Sequence, residues 1–136
     1  MGKKKVLLIV LAAVIVLIAA VAVYVVVDCN TVKPFSLQDY AEYTHNFAQN
    51  EYFEPYIDAY QARPVETADK ARKVAEEVWS TIYPDRVQSE KPYLVFYDEA
   101  ENVWMVQGTP DYIGFGGTAG ILVKTDGEIL AIWHGQ

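Results

Sequence analysis

Hydrophobic and polar positions divide this chain into an uninterrupted apolar run near the N-terminus and a mixed remainder. The run spans residues 6–27 and contains no charged side chain. As an α-helix that rises about 1.5 Å per residue, it reaches about 33 Å, and the hydrocarbon core of a bilayer is about 30 Å thick. We therefore predict one transmembrane helix at residues 6–27, in contact with the lipid bilayer.

The charges beside this run predict its orientation. Residues 1–5 form a short basic tail that contains three lysines, whereas Asp28 follows the run. Because positive charges stay on the cytoplasmic side, we expect a single-pass protein of the cell membrane with its N-terminus in the cytoplasm. The sequence AVA at residues 20–22 leaves open a cleaved secretory signal, although the apolar run continues beyond it without a polar break.

Beyond a predicted spacer at residues 28–35, apolar positions three and four residues apart predict helices. The first two are a helix at about 37–48 and a short helix around 52–60. The clearest pattern lies between Thr67, which can cap a helix N-terminus, and Pro84, which stops a helix. Its apolar stripe consists of Ala71, Val74, Ala75, Val78, Trp79 and Ile82. This spacing predicts an amphipathic helix with one buried face.

The last third of the chain is rich in β-branched and aromatic residues, in short segments separated by turn sequences. The predicted strands are residues 93–97, 103–107, 119–124 and 128–134. The sequence TDG at 125–127 predicts a tight hairpin, and no connection has room for a crossover helix. We therefore predict an α+β domain at residues 36–136, with helices packed on a curved antiparallel sheet of about four strands.

One stretch of this domain has the glycine spacing of a dinucleotide-binding loop. The sequence GFGGTA lies at residues 114–119. Such a loop needs a helix directly after the glycines and an acidic residue about 20 positions further on. Two strands joined by a hairpin are predicted there instead, so we reject a phosphate site and expect no cofactor.

The remaining candidates for chemistry are few. His45 and His134 are far apart in sequence, and the single cysteine, Cys29, lies beside the apolar run. His134 can act as a general acid or base, but a lone histidine in a strand is more typical of a hydrogen-bonded structural residue. We therefore predict no catalytic residue and no metal site, and hence a protein that is not an enzyme.

The chain beyond the apolar run is strongly acidic. Without the three N-terminal lysines, it holds 8 basic and 18 acidic residues, a net charge of −10 with the histidines neutral. Nucleic acids and anionic lipid head groups bind clustered Lys and Arg, so we expect neither as a ligand of this domain. A basic protein partner would be attracted, although an acidic surface can also serve solubility alone.

Several short sequences in the C-terminal half resemble a known family. They are TADKARKVAEEVWSTIYPDRV, KPYLVFYDEAENVWMVQGT and GGTAGILVKTDGEILAIWHGQ, in this order between residues 65 and 136. Together they resemble bacterial immunity proteins with a nuclear transport factor two-like fold, which belong to polymorphic toxin systems. The resemblance implies a cone-like domain that neutralises a toxin by binding it, and it brings no catalytic residues.

A binding protein of this kind needs an exposed contact surface. We expect the toxin to contact the connection after the second predicted strand, because aromatic residues on a positioned loop make good anchors. The candidate partner-binding residues are Asp111, Tyr112, Phe115 and His134. With the anchor as predicted, the toxin would be one that acts at the cell envelope or is intercepted in transit.

Two alternatives stay open from the sequence. One helix followed by an antiparallel meander that contains DGEIL is also similar to PepSY-type domains, which are extracytoplasmic modules that regulate proteases or cell-wall processes. A small-ligand-binding or isomerase-like domain on the same scaffold is the third reading, and it depends on fold analogy alone.

Overall fold

The computed structural model describes residues 2–40, 54–60, 63–109 and 117–135. The chain divides into two compact units, Met1–Thr31 and Val32–Gln136. The first unit is a single helix, α1 (Lys3–Asn30), whose apolar side chains are exposed along its length. By length and composition, Lys3–Val27 can cross a membrane, a property that membrane anchors share with N-terminal signal sequences.

The second unit is an α+β domain, as predicted. After the short strand β1 (Lys33–Pro34) and a 3₁₀ turn at Leu37–Tyr40, the described residues form two helices before the main strands. The helices are α2 (Glu54–Ala59) and α3 (Ala68–Ile82), and the strands are β2 (Leu94–Asp98), β3 (Val103–Gln107), β4 (Ala119–Lys124) and β5 (Ile129–His134). The sheet order is β1-β2-β3-β4-β5, with antiparallel pairs from β2 to β5.

The sheet has one more strand than the four predicted. Lys33 and Pro34 pair in parallel with Phe96 and Tyr97 of β2. A strand of two residues shows no alternation of polar and apolar positions, so its sequence carries no strand signal. Of the helix predicted at 37–48, the described part is the 3₁₀ turn, and the remainder lies outside the described residues.

Helix α3 forms where the apolar stripe predicts it. Thr67 caps its N-terminus, because the Thr67 hydroxyl accepts a hydrogen bond of 3.2 Å from the backbone N–H of Lys70. Asp69 lies in the first turn, where a negative charge complements the helix dipole. All six apolar positions of the stripe are buried, and they pack on one face of the sheet with Val95, Val106, Ile121 and Ile132.

The opposite face of the sheet has its own apolar cluster. Met105, Leu122 and Trp133 are buried there, and Phe35 and Leu37 pack against them from the segment that follows β1. Each fully buried side chain of this size contributes about 1.5–3 kcal/mol. The sheet is therefore covered on both faces, by α2 and α3 on one side and by the segment around the 3₁₀ turn on the other.

Asp98 joins this covering segment to the sheet. Its carboxylate accepts hydrogen bonds from the N–H groups of Leu37 at 2.7 Å, Ala100 at 2.8 Å and Glu101 at 3.1 Å. The Leu37 bond is the main reason why the pKa of Asp98 is lowered, with smaller contributions from the other two bonds. One buried carboxylate thus fixes both the β2–β3 turn and the start of the 3₁₀ turn.

Candidate functional site

The connection between β3 and β4 carries the predicted partner-binding residues. Asp111, Tyr112 and Phe115 lie outside the described residues, whereas both flanks of the connection are described. Gln107 at the end of β3 pairs with Gly120 near the start of β4. The two ends of this connection therefore lie at neighbouring positions of the sheet.

Glu90 holds both flanks of the connection. Its carboxylate Oε2 accepts a hydrogen bond of 3.0 Å from the N–H of Ala119, where β4 begins. Its backbone carbonyl accepts one of 2.8 Å from the N–H of Thr109, two residues after β3 ends. A third bond of 2.9 Å runs between the flanks, from the N–H of Gly108 to the carbonyl of Ala119. Because Glu90 is buried, these bonds are shielded from water.

The turn after α3 positions Glu90. Backbone bonds from Arg86 to the Tyr83 carbonyl and from Glu90 to the Arg86 carbonyl form successive turns, at 3.0 and 3.2 Å. The Tyr93 hydroxyl, which is buried, donates to the carbonyl of Val87 at 3.1 Å and fastens the same segment to β2. This segment places the Glu90 side chain at the end of the sheet where β4 begins.

His134, the fourth predicted site residue, lies against Glu90. Its Nε2 is 3.3 Å from Oε1 of Glu90, and its Nδ1 is 2.9 Å from the carbonyl oxygen of Gly135. The Tyr83 ring lies beside the imidazole, with 5.2 Å between ring centroids. The side chains of His134 and Glu90 are only 18% and 9% exposed. Both ring nitrogens are thus engaged by protein atoms, which is the arrangement of a structural histidine.

Two glycines allow the flanks to pack this closely. A Cβ atom on Gly117 would overlap the backbone of Gly135, and one on Gly108 would overlap the carboxylate of Glu90. The Gly135 N–H also donates to the carbonyl of Thr118 at 3.0 Å. Close approach of the backbone, rather than phosphate binding, explains why Gly117 is a glycine. Strand β4 begins at Ala119, where a dinucleotide site would need a helix.

Sequence reasoning found one half of this cluster and missed the other. His134 was a candidate without a visible partner, and Glu90 is that partner. Nothing in the stretch VQSEKPY at residues 87–93 marks Glu90, because it is a single acidic residue between the polar residues Ser89 and Lys91. Over the part of the chain that the structure describes, no group of three or more His, Cys, Asp or Glu side chains could hold a metal ion.

Comparison with known families agrees with this architecture. Residues 70–136 match the family model described as NTF2 fold immunity protein. The matched region begins within α3 and includes the whole sheet from β2 to β5, with both Glu90 and His134. No curated protein and no solved structure matches the chain.

Fold and match together define the class of protein, an immunity protein with an NTF2-like fold. Residues 70–136 belong to the NTF2 fold immunity protein family, which confirms the resemblance found in the sequence. Proteins of this class act by protecting a cell against a toxin, so the family match implies a protein partner.

Proposed function

We propose that this chain is a membrane-anchored, non-enzymatic immunity protein that binds and neutralises a bacterial toxin. The family match over residues 70–136 is the observation that carries the proposal. Helix α1 supports the membrane anchor, because it is long and apolar enough to span a bilayer. The three lysines within residues 1–5 favour an N-terminus in the cytoplasm and a domain on the far side of the membrane.

The β3–β4 connection is the proposed contact surface. Asp111, Tyr112 and Phe115 lie between two flanks that Glu90 and His134 hold in place. Binding loops work best on a rigid scaffold, because less conformational entropy is lost when the partner binds. His134 contributes to binding through this support, and the aromatic residues are the expected anchors.

Two properties of the domain favour binding over catalysis. His134, the residue best suited to acid or base chemistry, is largely buried and has both ring nitrogens engaged by Glu90 and Gly135. The net charge of −10 beyond the apolar run favours a basic protein partner and opposes nucleic acid. The family match favours an immunity role over the PepSY-like and the small-ligand alternatives.

Co-expression with the toxin encoded by the neighbouring gene tests the proposal. The full chain is expected to restore growth and to be recovered with the toxin from detergent-solubilised membranes. Absence of both protection and complex would contradict an immunity role against that toxin.

The contact surface is tested by replacing Asp111, Tyr112 and Phe115 together with alanine. Loss of aromatic anchors is expected to weaken toxin binding by about 2 kcal/mol or more, on the order of thirtyfold in Kd. The matched control replaces Glu99 and Glu101 with alanine, because these two residues lie in the exposed β2–β3 turn. Equal affinity of the triple variant and the control would exclude the β3–β4 connection as the contact.

A further inference from the structure

An open groove lies along α3. It lies between the end of α2, the segment before α3 and α3 itself, and its volume is about 440 Å³. Its apolar lining comes from Tyr60, Pro64 and Val74. The groove is separate from the Glu90 cluster, since the two share no lining residue.

The walls of this groove are held in place by hydrogen bonds. The Tyr60 hydroxyl donates to Oε2 of Glu77 at 2.6 Å and joins the end of α2 to α3. Burial, and then the contact with Glu77, raises the pKa of Tyr60 to about 12, so the hydroxyl keeps its proton at neutral pH. Val65, next to Pro64, is fixed by a bond from the buried Trp104 Nε1 to its carbonyl at 2.8 Å.

The lining of the groove is slightly positive, whereas the domain is strongly negative. It holds three of the eight basic residues beyond the apolar run, Arg63, Lys70 and Lys73, and two acidic residues, Glu66 and Glu77. Lys70 is paired with Glu66 at 2.7 Å. Among the side chains that the structure describes, Arg63 and Lys73 form no ion pair. Within that part of the chain, the groove thus offers two unpaired cations beside an apolar floor.

We infer that this groove receives an acidic segment of the protein partner, with an apolar side chain on the floor and carboxylates at Arg63 and Lys73. The inference adds a second contact to the proposed toxin complex and therefore rests on the proposed function. An Arg side chain can bind a carboxylate with two parallel hydrogen bonds, and Lys adds a point charge. Extended polyanions are disfavoured, because the net charge of −10 around the groove repels them.

A peptide titration tests the groove without the toxin. The probe is a short fluorescent peptide with glutamates on both sides of a phenylalanine, and its partner peptide carries glutamines instead. The full chain in zwitterionic detergent is expected to bind the glutamate peptide on the order of tenfold more tightly. Arg63→Glu with Lys73→Glu should abolish this preference, whereas Arg86→Glu, which reverses one exposed charge elsewhere, should keep it. The inference is overturned if the wild type binds both peptides equally. It is also overturned if the variant with Arg63→Glu and Lys73→Glu keeps the wild-type preference for the glutamate peptide.

The milder pair Arg63→Gln and Lys73→Gln repeats the test should charge reversal disturb folding, and the same loss of preference is expected. Vesicles of anionic phospholipid provide the competing source of negative charge. Displacement of the peptide by vesicles that bind the wild type but not the Arg63→Glu, Lys73→Glu variant would assign the groove to lipid and overturn the inference.

Toxin affinity separates the two proposals. Wild-type binding that weakens on the order of tenfold in the groove variant supports both. Binding that is unchanged in the groove variant overturns the groove inference alone. Absence of toxin binding by the wild type, with peptide preference intact, counts against the proposed function and leaves an acidic-peptide groove.

Discussion

Nε2 of His134 lies 3.3 Å from Oε1 of Glu90, although the two residues are 44 positions apart in the sequence. This contact joins the end of the last strand to the turn after α3. The other carboxylate oxygen of Glu90 holds the N–H of Ala119 at the start of β4. The Glu90 side chain therefore connects three separate segments at the base of the proposed binding loop. Its removal should affect the packing of all three segments.

Replacement of Glu90 by glutamine is expected to destabilise the domain. Glutamine keeps the size of the side chain but has one acceptor oxygen instead of two, so Ala119 N–H and His134 Nε2 can no longer both lie against an oxygen of residue 90. A buried group left without its partner costs about 1–3 kcal/mol. Urea unfolding of the full chain in zwitterionic detergent measures the loss, with the buried Trp79, Trp104 and Trp133 as fluorescent probes.

The control for this measurement is Glu99→Gln on the exposed β2–β3 turn. Its free energy of unfolding should stay within about 0.5 kcal/mol of the wild type. An unfolding midpoint of Glu90→Gln that equals that of the control would show that the Glu90 contacts contribute nothing to stability.

Gly117→Ala tests the close packing between Gly117, which lies just before β4, and Gly135. The new methyl group would overlap the backbone of Gly135, so the two segments must separate. Overpacking of this kind typically costs about 1–3 kcal/mol. The matched control is Gly2→Ala, where a methyl group meets no atom within 4 Å. Equal unfolding curves for the two alanine variants would contradict the packing argument.

Elements with a strong local pattern could be predicted from the sequence. The apolar stripe of α3 and its cap at Thr67 agree with the structure, because both depend on residues a few positions apart. Strands β3 and β4 were predicted with the bounds that the structure gives them, Val103–Gln107 and Ala119–Lys124. The predicted TDG hairpin agrees with Gly127, which has a φ of 98°.

Features that depend on distant partners could not be predicted. Strand β1 exists because Lys33 and Pro34 meet β2, some sixty positions along the chain, and a two-residue segment has no periodicity of its own. Glu90 was missed for the same reason, since its partners Ala119 and His134 belong to strands β4 and β5. The Glu90 cluster is therefore a tertiary feature, of which the sequence suggested only His134, and the role of the β3–β4 connection stays a prediction.

Trp104→Phe tests the link between the sheet and the segment before α3. The Trp104 Nε1 donates to the buried carbonyl of Val65 at 2.8 Å, and Val65 donates in turn to the carbonyl of Thr125 at 2.8 Å. Phenylalanine fills most of the space but leaves the Val65 carbonyl without this donor, which should cost about 1–3 kcal/mol in the urea experiment. Tyr97→Phe removes an exposed hydroxyl bond and serves as the control. Indistinguishable stabilities of these two variants would rule out a structural role for the indole bond.

Asp98→Asn is expected to change how stability depends on pH. The N–H of Leu37, with those of Glu101 and Ala100, lowers the pKa of Asp98 below its ordinary value of 3.8 in the folded chain. A lowered pKa stabilises the fold fully above the unfolded value, and this contribution is lost as pH falls through the folded value. Asparagine cannot titrate, so the difference in unfolding free energy between wild type and variant should shrink as pH falls below about 3.8.

At neutral pH the same substitution should destabilise the domain by about 1.5–3 kcal/mol, the range for hydrogen bonds to a charged group. The measurement is a series of urea unfolding curves from neutral pH to below 3.8, the ordinary pKa of the carboxyl group. Asp85→Asn, at an exposed position, controls for the loss of one negative charge and should follow the wild type at every pH. A difference between wild type and Asp98→Asn that is constant across this range would mean that the ionised carboxylate is not what holds Leu37 to the β2–β3 turn.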